Sequence, residues 1–141
     1  MTRIAILLAV LLLTGCGGHK AQSAEQVARS WSAALDRSDY EAAALLFAND
    51  ARIVQNGELM FSSHADAVAW NASLPCGGKI VSVSRRNATD VLVVFSLEGR
   101  PQHACDAPGQ RAAALFRVRS GKIVLWHQTD VPPAAGNGQT V

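Results

Sequence analysis

The most constraining feature of this 141-residue sequence is a change in hydrophobic period at Cys76-Gly77-Gly78. Before this point, apolar residues recur at helical spacing, whereas four later runs are rich in β-formers and separated by turn residues. A block of helices followed by a block of strands predicts an α+β fold, with a curved antiparallel sheet folded over its helices.

Three helices are predicted before the change of period. Ser23 with Gln26, and Ser38 with Glu41, have the spacing of capping boxes, and the third helix begins at Ser62 or Ser63. The second helix is expected to end near residue 49 and the third at residue 75. The apolar faces consist of Val27, Trp31, Ala34 and Leu35 in the first helix, Tyr40, Ala43, Ala44 and Phe47 in the second, and Ala67, Trp70 and Leu74 in the third.

Six strands complete the predicted domain. A short hairpin pairs residues 51–55 with residues 58–61 through the Asn56-Gly57 turn. The four later strands are predicted at residues 79–86, 91–97, 111–119 and 122–131.

The N-terminus has the layout of a secretory signal: Arg3, then ten apolar residues from Ile4 to Leu13. This run is too short for a spanning helix, which needs about 20 apolar residues. Leu13-Thr14-Gly15-Cys16 resembles the bacterial lipobox, which implies that Cys16 receives a diacylglycerol and becomes the first mature residue. The alternative is an ordinary cleaved signal in which Cys16 has no special role.

The lipobox resemblance predicts a location in the bacterial cell envelope, with the protein lipid-anchored to a membrane outside the cytoplasm. Gly17, in place of a retention aspartate, favours the outer membrane if the cell has one. The predicted organisation is a signal peptide over residues 1–15, the lipidated cysteine and a tether over 16–22, one domain over 23–131 and a disordered tail over 132–141. The net charge of +2 and the absence of long basic runs give no indication of nucleic-acid binding, so no nucleic-acid partner is expected.

The two remaining cysteines, Cys76 and Cys105, are predicted to form a disulfide, because an even pair in an exported protein meets an oxidising compartment. Free or metal-binding thiols are the alternative. No second Cys or His stands at metal-ligand spacing to either one, and His103 is a single weak candidate, so no metal or other cofactor is expected.

Residues 31–51 and 116–126 resemble the nuclear transport factor 2, SnoaL and ketosteroid isomerase superfamily, and the match covers most of residues 24–131. The resemblance implies a cone-shaped, cystatin-like roll with a pocket between sheet and helices. At the positions that carry catalytic groups in this superfamily, however, the present sequence has other residues. The position of the isomerase base is Gln55, and that of the oxyanion-hole tyrosine is Trp31. An epoxide hydrolase would need charged residues within residues 91–97 and an aspartate at Gln128, and both are absent.

A two-residue turn at Ser120-Gly121 predicts the register of the last two strands. In that register Val118, Phe116 and Ala114 face Ile123, Leu125 and His127 on the cavity side. Arg117, Leu115 and Arg111 then face Val124, Trp126 and Asp130 on the outer side.

His127 would then be a ligand-binding group or a base on an apolar wall. The alternative is a histidine satisfied by a partner such as Thr129. The predicted aromatic lining, for which plain core packing is the alternative, consists of Trp31, Tyr40, Phe61, Trp70, Phe95 and Phe116.

Three functions follow as hypotheses. The first is a non-enzymatic lipoprotein that binds a small apolar ligand or a partner. The second is an isomerase, cyclase or hydrolase that uses His127, with Asp130 as a possible second group. The third is an interaction module that forms a homodimer through the outer sheet face around Leu115, Trp126 and Val124, since this superfamily often dimerises there.

Overall fold

The computed structural model describes residues 17, 18 and 20–134. The predicted signal peptide, the lipidation site Cys16 and residues 135–141 of the predicted tail therefore lie outside the described residues. Within the described part of the chain, no helix is both long and apolar enough to cross a membrane.

Three helices pack on one face of a six-stranded sheet, which confirms the predicted α+β fold. The sheet order is β2-β1-β6-β5-β4-β3. All neighbouring strands are antiparallel except β1 and β6, which are parallel, so one of the pairings differs from the predicted antiparallel sheet. The elements in chain order are α1 Ala24–Asp36, α2 Tyr40–Ala44, β1 Phe47–Val54, β2 Glu58–Met60, α3 His64–Ser73, β3 Gly77–Arg85, β4 Asp90–Glu98, β5 Arg111–Arg119 and β6 Lys122–Thr129.

The helix starts follow from side-chain caps. Ser23 and Gln26 form the predicted capping box of α1, and Ser63 caps α3. The prediction for α2 is wrong at both ends. Asp39, not Ser38, caps it, because the Asp39 carboxylate accepts from a backbone N–H while the Ser38 hydroxyl donates to the Pro101 carbonyl.

The first strand begins at Phe47, four residues before the predicted start and inside the predicted second helix. The Phe47 ring packs edge-on against Phe61 and Trp70, at centroid distances of 5.5 and 5.6 Å. Tertiary contacts thus place Phe47 in a strand, although its spacing from Tyr40 and Ala43 also fits a helix.

The core is organised around Trp31, which is 3% exposed. Its ring lies 5.3 to 6.4 Å, centroid to centroid, from four other aromatic rings, those of Trp70, Phe95, Phe116 and Trp126. Its indole N–H donates to the Asn71 side-chain oxygen at 2.7 Å, and the Asn71 amide donates to the Ala67 carbonyl. This chain of hydrogen bonds joins α1 to α3 inside the core.

The last two strands pair in a different register from the predicted one. Ser120 and Gly121 form the turn with positive φ angles, and Val118 pairs with Ile123 as predicted. A bulge follows, and Phe116 then pairs with Trp126.

The pairings of Phe116 with Leu125 and of Ala114 with His127 are therefore wrong. Because one residue is inserted, every later side chain of β6 changes sides. Trp126 points into the core, and His127, paired with Leu115, lies on the outer face.

The outer face also holds an ion pair between a buried carboxylate, Asp90, and a partly exposed guanidinium, Arg117. Asp90 is 4% exposed and accepts from the Arg117 Nε and Nη2 atoms at 2.9 and 2.8 Å. These hydrogen bonds, assisted by Thr89 and Asn87, lower the pKa of Asp90 from 3.8 to about 2. Since folding favours the ionised form, Asp90 stabilises the protein above its unfolded pKa, and this stabilisation is lost as the pH falls towards 2.

Replacing Asp90 by Asn should therefore lower the free energy of unfolding by about 1–2 kcal/mol at pH 7 and by clearly less at pH 3. Urea unfolding at the two pH values measures the difference. The control is Asp130→Asn, because Asp130 is exposed and has no ion pair within residues 20–134. An equal loss at both pH values for Asp90→Asn would contradict the electrostatic origin.

Candidate functional site

A cavity of about 140 Å³ lies between α1 and the sheet, at the end where β3 begins and β6 ends. Its walls are largely apolar, and its size matches the cavity of about 150 Å³ that holds a benzene molecule in another protein. The lining residues are Trp31, Ser32, Leu35, Gln55, Leu74, Pro75, Cys76, Gly77, Gly78, Phe95, Leu97, Asp106, Ala112, Ala113, Ala114, Trp126 and Gln128.

Few polar side chains line this cavity. The Ser32 hydroxyl is already engaged, since it donates to the Gly78 carbonyl at 3.2 Å. Gln55, Gln128 and Asp106 supply two amides and one carboxylate. Among the described lining residues, Asp106 is the single side chain that can carry a charge.

The disulfide between Cys76 and Cys105 closes one side of the cavity, and the predicted pairing is confirmed. It connects the residue before β3 to the loop between β4 and β5. The Asp106 carboxylate lies 3.4 Å from the Cys76 sulfur. Cys76, Cys105 and Asp106 are the one group of potential metal ligands in the described part of the chain, but sulfurs bonded to each other offer no thiolate to a metal.

No family model and no curated protein matches this sequence. Solved structures do match its shape. One is a nuclear transport factor 2-like protein from Cytophaga hutchinsonii, with a TM-score of 0.64 and 11% identity over 81% of this chain and 95% of that one.

Two further matches point the same way. A candidate polyketide cyclase from Xanthomonas campestris has a TM-score of 0.54 and 17% identity over 77% of this chain and 90% of that one. A protein with a ketosteroid isomerase-like fold from Catenulispora acidiphila, in complex with trimethylamine, has a TM-score of 0.56 and 18% identity, covering 74% and 85%. This chain has the nuclear transport factor 2-like fold.

In this nuclear transport factor 2-like fold, the positions that the sequence resemblance assigns to catalysis do meet. Gln55, at the isomerase base position, lines the cavity together with Trp31, at the oxyanion-hole position. Gln128, at the epoxide hydrolase position, lines it as well. The positions converge, but their side chains are two amides and an indole, which stay uncharged near neutral pH and cannot act as general bases.

The predicted aromatic lining is partly separated from the cavity. Trp31 and Phe95 line it. Phe61, Trp70 and Phe116 pack in the core beyond it, as the plain packing interpretation expected. Tyr40 lies apart, where its hydroxyl accepts from Arg100 Nε at 3.2 Å.

His127 does not line the cavity. It lies with Asp130 in a shallow groove on the outer side, which is also lined by Val54, Asn56 and Thr129. Gln55 and Gln128 border both this groove and the cavity. Within the described residues, no hydrogen bond joins the His127 ring to Thr129 or Asp130. The alternative prediction, in which His127 is hydrogen-bonded to a partner such as Thr129, is therefore not supported either. The structure thus separates both candidate catalytic residues from the cavity.

Trp126 is one of the cavity residues that the sequence interpretation missed, because the simple hairpin register assigned it to the outer face. It is 6% exposed, lines the cavity and packs at 5.0 Å from the Trp70 ring. Its indole N–H is buried and has no hydrogen-bond partner within the described residues. No local signal marks the bulge at Val124, since residues 123–126 are uniformly apolar.

Asp36 and Arg100 support the wall of the cavity. The Asp36 carboxylate accepts from the Gly78 N–H at 2.9 Å, and burial raises the pKa of Asp36. A Cβ at Gly77 would come within 2.5 Å of this carboxylate, so a larger residue there would displace the Asp36 side chain. Arg100, 6% exposed, donates to the Ala72 and Leu74 carbonyls and thereby holds the end of α3.

Proposed function

We propose that this chain is a cell-envelope lipoprotein whose nuclear transport factor 2-like domain binds a small, largely apolar ligand without transforming it. The observation that carries the proposal is the cavity, which is apolar and has a single ionisable side chain among its described lining residues. Such a cavity, with a few polar groups at its edge, is typical of small-molecule sites.

The absence of a suitable base supports a binding role over catalysis. Proton transfer needs a side chain that titrates near the working pH and lies within hydrogen-bonding reach of the substrate. Gln55, Gln128 and Trp31 do not meet the first condition, and His127 does not line the cavity. The one carboxylate among the described lining residues, that of Asp106, is exposed to solvent on the loop between β4 and β5. The trimethylamine complex of the Catenulispora protein is consistent with a small ligand in a domain of this shape.

Native mass spectrometry of the chain from Gly17 onward tests this proposal, because every helix and strand that the structure describes lies within residues 24–129. We expect the folded protein to carry a co-purified small molecule. Ala114→Leu should remove it, since Ala114 is 1% exposed and its enlarged side chain would occupy the cavity. Ala104→Leu, at an exposed position away from the cavity, is the matched control.

Two results would contradict the proposal. In one, the same mass is retained by Ala114→Leu and by the control. In the other, the protein converts its co-purified molecule into a product and Asp106→Asn or His127→Gln abolishes that conversion. The second result would favour the enzyme hypothesis.

Lipid attachment is the second part of the proposal and rests on Leu13-Thr14-Gly15-Cys16. We expect cells to incorporate a palmitate analogue into the protein, and Cys16→Ser to abolish the label. Globomycin should cause the unprocessed precursor to accumulate. If the wild-type protein takes up no label, the N-terminus is an ordinary cleaved signal and the lipoprotein part of the proposal is wrong.

A homodimer through the outer sheet face is a second candidate. Its supporting observation is Leu115, which is partly exposed on the side of the sheet opposite the helices and packs on a separate apolar cluster of the buried residues Leu92, Val94 and Ala113. Trp126, which was predicted to lie on this surface, packs in the core instead.

We expect Leu115→Arg to convert a dimer to a monomer in sedimentation velocity measurements. Leu59→Arg, on the exposed β2 strand, should leave the dimer intact. A wild-type protein that sediments as a monomer at high concentration would exclude this candidate.

A further inference from the structure

The two ends of the sheet differ in charge. At one end β3 and β5 stop, β4 and β6 begin, and the segment before α1 passes the β5–β6 turn, with the Gln22 nitrogen 3.8 Å from the ideal Cβ position of Gly121. We call this the basic end and define it as residues 20–29, 45–50, 85–90 and 117–122. It holds seven basic and three acidic side chains: Lys20, Arg29, Arg85, Arg86, Arg117, Arg119 and Lys122 against Glu25, Asp50 and Asp90.

Most of these basic side chains have no acidic partner. Arg29 pairs with Glu25 and Arg117 with Asp90, which leaves Asp50 as the remaining carboxylate of this end. The other five are exposed and form no salt bridge within the described residues: Lys20, Arg85, Arg86, Arg119 and Lys122. The opposite end, which holds the cavity and comprises residues 36–37, 77–79, 98–111 and 127–130, has four side chains of each sign: Arg37, Lys79, Arg100 and Arg111 against Asp36, Glu98, Asp106 and Asp130.

The short tether would hold the basic end, rather than the cavity end, next to the proposed lipid. Ser23, the cap of α1, follows Cys16 by seven residues, which reach at most about 25 Å when fully extended. The nine-residue strands β3 and β5 are about 30 Å long, so the cavity end lies one strand length farther from the tether. The basic end is therefore the part of the domain that an acylated Cys16 would bring to the membrane.

An exposed leucine lies at the same end. Leu45 connects α2 to β1 and is 59% exposed. The Lys122 ammonium group donates to the Leu45 carbonyl, so an apolar side chain and a positive charge lie side by side. This combination suits the surface of an anionic membrane, where the apolar group enters the headgroup layer and the cation meets lipid phosphates.

We infer that the basic end is a contact surface for the anionic phospholipid headgroups of a bilayer, and that it orients the domain with the cavity away from the membrane. The diacylglycerol supplies the anchoring, while the basic side chains select one of the orientations that the tether permits. The inference goes beyond the proposed ligand binding and rests on the proposed lipid attachment.

Vesicle binding by the chain from Gly17 onward tests the surface without its lipid, so failure of the surface and failure of palmitate labelling are separate results. We expect at least about tenfold stronger binding to vesicles with roughly one third phosphatidylglycerol than to pure phosphatidylcholine vesicles. Salt at about 1 M should release the protein, because it shortens the Debye length to about 3 Å. Equal binding to both vesicles would overturn the inference, as would tighter binding to a DNA duplex than to the anionic vesicles.

Arg86→Gln combined with Arg119→Gln removes two positive charges from the basic end. Binding to the anionic vesicles should fall about 25-fold, because each basic side chain near such a surface contributes about fivefold. Arg37→Gln combined with Arg111→Gln is the matched control: it removes the same charge from exposed positions at the cavity end and should change binding by less than about twofold. Equal losses in the two double variants would show that net charge alone governs binding, which contradicts the orientation.

A paramagnetic headgroup lipid in the anionic vesicles measures the orientation of the wild type directly, so this measurement does not depend on the folding of a variant. The amide resonances of residues 85–90 and 118–122 should broaden in a ¹H–¹⁵N spectrum, while those of residues 98–110 should stay sharp. Broadening that is strongest at the cavity end would overturn the inference, even if the protein binds the vesicles tightly.

Discussion

Replacing Trp31 by alanine should lower the free energy of unfolding by about 3–5 kcal/mol, the range for truncating a buried tryptophan. The large effect is expected because Trp31 contacts four aromatic rings and its N–H satisfies the fully buried Asn71. Chemical denaturation followed by far-ultraviolet circular dichroism measures it. A loss below about 1 kcal/mol would mean that Trp31 is not the centre of the core.

Trp31→Phe separates the ring from the hydrogen bond. It keeps an aromatic side chain but leaves the Asn71 oxygen buried without its donor, which should cost about 1–3 kcal/mol. The double variant with Asn71→Leu removes both partners, so its loss should be smaller than the sum of the two single losses. Strictly additive losses would show that the two side chains are not coupled.

Removing the disulfide should have the second large effect. Replacing Cys76 and Cys105 together by alanine should lower the free energy of unfolding by about 3–4 kcal/mol, because the unfolded chain regains the freedom of a loop with a sequence separation of 29 residues. Urea unfolding of wild type and variant measures the difference.

A reductant provides the control for this prediction. Dithiothreitol should destabilise the wild type by a similar amount and leave the double variant unchanged. Because Cys76 lines the cavity, the variant should also retain less of the co-purified small molecule than the wild type does. A wild type that is insensitive to reductant would contradict a stabilising disulfide.

The sequence predicted most elements because their signals are local. The Ser23 and Gln26 pair caps α1 as expected, and the Asn56-Gly57 turn lies between β1 and β2. The prediction failed where two local signals compete. Phe47 fits both the spacing of α2 and the start of a strand, and its contacts with Phe61 and Trp70 determine which structure forms.

The candidate site was predictable only in part for a related reason. The resemblance led to Gln55, Trp31 and Gln128, and the cavity does bring these three together. It could not distinguish Trp126 from His127, since the two are adjacent in β6 and a single bulged residue decides which one faces the core.

The amino-acid sequence by itself determined the class of fold, the cap of α1 and the pairing of Cys76 with Cys105, because periodicity, capping and cysteine count depend on residue types. Only the tertiary structure decided that Trp126 enters the cavity and that His127 leaves it. The physical reason is that a bulge between β5 and β6 lets Trp126 join the aromatic core around Trp31, and no residue near the bulge encodes that choice on its own.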